Sequence, residues 1–132
     1  MTYLFDAEIQ SLPADIGARS APIFPKYRPN IVFGLPKKFG SESYYTNSKR
    51  VQFDSNDSER YKAENAIAEL TFQDPCIFPG ERAKVRVELL YYENVLDYLR
   101  VNEVFILREG SKISAFGKIK GVIGLSNGEN HE

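Results

Sequence analysis

Ala83, Val85, Val87 and Leu89 alternate without a break with Lys84, Arg86 and Glu88. Successive side chains of a strand point to opposite faces, so this period of two predicts a strand over 83–89 with one buried and one wet face. Other extended runs flank it. Residues 3–9 are mixed in character, 30–33 and 104–107 are short apolar runs, and 113–123 reads as a long last strand. Gly117 and Gly121 fall within that run and Gly124 just after it, which predicts sharp curvature or close backbone approach, as at a barrel corner. Pro79-Gly80 is a turn dipeptide, and 109–112 is a tight connection in which Gly110 can take positive φ. Aromatic residues make up 13% of the chain, all Tyr and Phe, an enrichment that favours strands. Short strands with Pro and Gly punctuation predict an all-β fold, a small barrel or sandwich.

The 132 residues fit one domain with one independent core. Two segments break the strand pattern. Four of the seven prolines, Pro13, Pro22, Pro25 and Pro29, lie in 11–29. Proline removes a ladder donor, so this stretch is expected to be an ordered loop packed on the strands. Residues 34–65 are rich in Gly, Ser and Asn yet carry Phe39, Tyr44, Tyr45, Val51, Phe53 and Tyr61. That is too many apolar rings for a solvated linker, and an ordered, hairpin-like extension is expected. Within it 49–54 reads as an edge strand. Residues 58–68 read either as a helix or as a polar loop leading into a strand over 66–72. The expected organisation is a barrel over 1–125 containing the 34–65 insertion, then a polar, flexible tail over 126–132.

Little in the chain points to catalysis. His131 is the single histidine, so no His-based triad or multi-His metal site exists within one chain. No phosphate-cradling glycine loop with Lys-Ser/Thr is present, so GTP should be neither bound nor hydrolysed. Asp54, Asp57 and Glu59 lack calcium-loop spacing and read as a solvated loop. Cys76 beside Pro75 reads as a buried core thiol with no internal disulfide partner. A net charge of −1 offers no bulk attraction to nucleic acid or anionic membrane. The N-terminus has no signal-peptide pattern and no run reaches membrane-helix length, so a cytoplasmic, non-enzymatic protein without catalytic residues, cofactor, metal or membrane association is expected.

Several segments, taken together and in order, resemble the C-terminal barrel (domain 3) of elongation factor Tu. Phe5-Asp6-Ala7-Glu8-Ile9 resembles its opening strand, and Gly17-Ala18-Arg19 its Gly-Gly-Arg. Pro22-Ile23-Phe24 and Tyr27-Arg28-Pro29-Asn30 resemble its Pro-Phe-Phe and Tyr-Arg-Pro-Gln. Phe78-Pro79-Gly80-Glu81 resembles its Met-Pro-Gly-Asp turn, and 105–110 (Phe-Ile-Leu-Arg-Glu-Gly) its Phe-Ala-Ile-Arg-Glu-Gly. The resemblance implies a single closed antiparallel β-barrel without a GTPase domain. It also implies that Arg19, Arg28, Asn30, Glu109 and Gly110 stand where the translation factor meets the T stem of tRNA.

Two functions follow as expectations. The first is a binding module for a protein partner, a second copy of the chain included, using the barrel face and an extension surface of Phe39, Tyr44, Tyr45 and Tyr61. The second is a tRNA- or RNA-binding module using the five residues of that implied edge. Gly34 stands where the family carries an arginine and Tyr91 near its lysine, which favours the first. Arg19, Arg28 and Arg108 also read as structural ties to carbonyls or to a carboxylate such as Glu8 or Glu109. The pairs Tyr44-Tyr45 and Tyr91-Tyr92 also read as covers of an exposed sheet.

Overall fold

The computed structural model describes residues 1–47 and 52–126. Within them, six antiparallel strands close into a barrel: β1 (Thr2–Ser11), β2 (Asn30–Phe33), β3 (Glu64–Thr71), β4 (Arg82–Leu90), β5 (Val104–Glu109) and β6 (Lys112–Ser126). Their order around the barrel is β1-β4-β3-β2-β5-β6. The strands read over 3–9, 30–33, 66–72, 83–89, 104–107 and 113–123 are all present. The alternating segment is β4, held centrally between β1 and β3, with Val85 and Val87 inward. The barrel interior is built from one face of each strand. At its centre the rings of Phe5, Phe33 and Phe105 meet edge-on or tilted, with centroids 5.8–6.2 Å apart. Gly117 lies over this cluster: a Cβ there would sit 2.5 Å from the Phe105 ring and 2.9 Å from the Glu8 carbonyl oxygen.

The proline-rich loop is ordered and bound to the barrel. It contributes single bridges, Ile23 to Ile77 and Tyr27 to Leu70, in place of a continuous strand. Ile23 is buried in the barrel core, and Leu12 in a second core.

The insertion departs from the expected hairpin. It holds a short 3-10 helix (Lys37–Gly40) and two short α-helices, α1 (Glu42–Asn47) and α2 (Ser55–Tyr61). The reading of 49–54 as an edge strand falls largely outside the described residues; within them Gln52 makes one bridge, to Lys112. The helix-or-loop alternative for 58–68 resolves into the end of α2 and the start of β3. Asp54 is the reason α2 begins where it does. Its carboxylate accepts from the Asn56 and Asp57 amides, and the Asp57 carboxylate accepts from the Asp54 amide, forming a capping box. Lys62 then takes a left-handed conformation and ends the helix. The expected flexible tail lies outside the described residues beyond Ser126, and His131 with it.

This insertion covers the outer face of β2, β5 and β6. Leu35, Phe39, Tyr45 and Phe53 pack with Val32, Ile106, Ile113 and Phe116 into a second core outside the barrel. β2, β5 and the first half of β6 are therefore buried on both faces, which is why β2 and β5 read as short apolar runs while β1 and β4 alternate. Among the described residues no helix is long and apolar enough to cross a membrane.

Candidate functional site

Of the five expected edge residues, Arg19, Glu109 and Gly110 meet at the β5–β6 turn, and Arg19 and Glu109 are bonded to each other. Arg19, in the proline-rich loop, reaches Glu109 at the end of β5, with Nη1 to Oε2 at 3.0 Å. Its other nitrogens donate to the loop's own Ala21 and Pro22 carbonyls at 3.3 and 3.0 Å, and its guanidinium lies 5.0 Å from the centre of the Tyr27 ring. The Tyr27 hydroxyl donates to the same Glu109 oxygen. It also lies 3.0 Å from Ser114 Oγ, which donates to the Leu107 carbonyl. Arg19, Tyr27, Glu109 and Ser114 thus form one knot that pins the loop to the last hairpin. Gly110 makes the turn itself, with φ of 61°.

Arg108 is similarly committed. Its Nε and Nη2 donate to Asn65 Oδ1 on β3, and Nη1 donates to the Gly110 carbonyl at 2.6 Å. Asn30 is half-buried on β2, opposite Arg108 on β5 and Ile67 on β3. Arg28 stands apart from the knot: its Nε pairs with Glu69 on β3 at 2.6 Å while most of the side chain remains exposed. All three arginines therefore act as ties. Of the two carboxylates named for that role, Glu109 serves it for Arg19, whereas Glu8 pairs with Arg82 instead.

The electrostatics follow from this packing. Burial works against the charge on Arg19, but its hydrogen bond and charge pairing with Glu109 outweigh it and raise its pKa. Burial lowers the pKa of Arg108, whose partners are neutral. Burial pushes the Tyr27 hydroxyl well above its ordinary value of 10, and donation to Glu109 adds to the shift. Tyr45 is raised in the same direction, mainly by burial. A folded-state pKa above the unfolded one stabilises the protein fully below pH 10, and that stability is lost as pH rises through the folded value. Thermal melts between pH 8 and pH 11 should therefore show stability falling above pH 10, by up to about 1.4 kcal/mol per pH unit for each such tyrosine. Tyr27→Phe should reduce that slope, and an unchanged slope would show that Tyr27 does not contribute to it.

The extension residues divide. Phe39 and Tyr45, expected at the surface, are buried, each with 2% of its area exposed. The Tyr45 ring stacks on Phe116 at 4.6 Å and its hydroxyl donates to the Phe39 carbonyl at 2.9 Å. The reason is positional: they lie against the outward-facing apolar side chains of β2, β5 and β6. Tyr44 and Tyr61 are half-buried at the margin, both in ring contact with Phe39, and Lys38 Nζ lies 5.7 Å from each ring centre.

Further expectations change. Cys76 is only partly buried. Tyr92 packs on Tyr3, whereas Tyr91 is 76% exposed and covers no sheet. Gly34 has φ of 80°, and a Cβ there would lie 3.1 Å from the Tyr98 ring, so any side chain at this position would be strained. Asp54 and Asp57 serve the helix cap described above. Tyr27 beneath Arg19, Ser114 beside Tyr27 and Asn65 beside Arg108 were not distinguishable in the sequence, because loop conformation and strand register bring them together. No protein-family model matches the sequence, and no curated protein matches it either.

Proposed function

We propose that this chain is a non-enzymatic binding barrel, built on the plan of the C-terminal barrel of elongation factor Tu, that engages a protein partner. The observation that carries this reading is the commitment of Arg19, Arg28 and Arg108 to intramolecular bonds. An RNA edge needs cations free to neutralise phosphates, since release of counterions supplies most sequence-independent affinity. Here the Arg19 charge is matched by Glu109 and the Arg28 charge by Glu69. The overall charge of −1 adds no long-range attraction. Cytoplasmic residence belongs to the same proposal.

The test is affinity capture of the tagged chain from native lysate, with and without nuclease. A specific protein should co-purify in stoichiometric amount and survive nuclease treatment. The RNA reading wins instead if tRNA co-purifies and Arg28→Ala abolishes it.

A further inference from the structure

The wet face of the alternating strand is densely charged, with three cations followed by Glu88. Arg82, Lys84 and Arg86 project outward from β4 at every second residue, a repeat of about 6.8 Å in antiparallel sheet. Next to them on β1 stand Glu8 and Asp6, and beyond those Lys118 and Lys120 on β6. Glu8 lies directly opposite both Lys84 and Lys118, and Asp6 opposite Arg86. The two β1 carboxylates are already in use. Arg86 holds Asp6 with a bidentate fork at 2.9 and 3.3 Å, and Arg82 Nη1 lies 3.4 Å from Glu8. Among the described residues Lys84, Lys118 and Lys120 have no carboxylate within ion-pair distance, so the face keeps an excess of positive charge.

The face is also concave. A groove of about 1120 Å³ runs along it, bounded on its far side by Phe72, Gln73 and Asp74 at the end of β3. It shares Asp74, Arg82 and Ala83 with a second hollow of about 510 Å³, lined by Cys76 and the exposed Phe78. The trough, lined by Arg82, Lys84, Arg86 and Lys120 against Asp6, Glu8 and Asp74, thus opens at one end onto a mixed hollow in which Cys76, Ile77 and Phe78 stand beside Asp74 and Glu81.

We propose that the outer face of β4, β1 and β6 binds an extended acidic peptide segment of a protein partner, with an apolar side chain at the Phe78 end. This rests on the protein-partner reading and specifies the partner's chemistry. An extended peptide repeats its side chains about every 6.8 Å, so one Asp or Glu can meet Lys84, the β4 cation that holds no β1 carboxylate, while its other acidic residues reach Lys118 and Lys120 on the far side of β1. The Asp6–Glu8 stripe between the two cationic rows favours such a ligand over nucleic acid. A phosphodiester carries charge at every unit and would cross that stripe, whereas a peptide can set neutral residues there.

The test uses the full chain and a fluorescent peptide of about twelve alternating Glu and Thr residues, read by anisotropy at low ionic strength. Binding is expected, weakening with salt as screening shortens the reach of these exposed charges. Lys84→Glu with Lys120→Glu should weaken it by about tenfold or more, a charge reversal at two contacts, and the milder Lys84→Gln with Lys120→Gln by less. Arg28→Ala should leave it unchanged. Absence of binding, or binding indifferent to both double variants in folded protein, overturns the assignment. So does an oligouridylate of similar length that binds more tightly through the same lysines. Capture from lysate separates the two levels of inference. A protein partner retained by the Lys84→Glu, Lys120→Glu variant overturns this surface and leaves the protein-partner reading standing. Capture that depends on RNA overturns both.

Discussion

Tyr45→Ala is expected to lower stability by about 3–5 kcal/mol, the usual cost of truncating a buried aromatic residue. The ring lies between α1 and β6, stacked on Phe116 and in edge contact with Tyr44, with 2% of its area exposed. Its removal empties the centre of the second core and leaves the Phe39 carbonyl without its hydroxyl donor. Tyr45→Phe keeps the ring and should cost only about 1 kcal/mol, the net worth of one hydrogen bond. Urea unfolding of the two variants distinguishes a structural insertion from an appended one. If both are within a few tenths of a kcal/mol of the parent, the 34–65 segment is not part of the cooperative unit. If the expected gap appears in a single transition, barrel and insertion unfold together.

Gly117→Val is expected to cost about 3 kcal/mol or more, at or beyond the upper end of ordinary overpacking. The new Cβ would fall 2.5 Å from Phe105 Cζ and 2.9 Å from the Glu8 carbonyl oxygen. The first clash is with a ring that can be exchanged, the second with the backbone of the neighbouring strand. Phe105→Leu in the same chain should therefore rescue the variant only in part, and a double-mutant cycle measures that coupling. Near-complete rescue would mean that the β1–β6 backbone contact adjusts freely, and that the close strand approach at Gly117 is not required by the barrel.

The strands were legible because their signals are local. β4 shows its period of two in the sequence, β2 has the bounds read for it, and of the three glycines read in or beside the last strand as marks of curvature or close approach, Gly117 meets Phe105 while Gly121 and Gly124 have open space around them. The insertion was legible only as ordered. Its aromatic content required burial somewhere, but two helices of six and seven residues are too short for a 3.6-residue period to emerge, and a hairpin was expected in their place. Nor could composition separate Phe39 and Tyr45, which are buried, from Tyr44 and Tyr61 at the margin.

By itself, then, the sequence determined an all-β chain, the positions of its strands, an ordered proline-rich loop and an insertion that had to pack. Each follows from neighbouring residues: alternation, proline's missing donor, an aromatic excess. Local pattern left barrel and sandwich both open, the resemblance implied closure and the barrel is closed; tertiary structure alone decided the face that the insertion covers and the occupation of the arginines. Arg19 and Glu109 are 90 residues apart, and Arg86 and Asp6 are 80 apart. No local rule pairs charges at such separations; the strand order and register bring them together, and so decide which cations are spent within the fold and which, at Lys84 and Lys120, are left facing solvent.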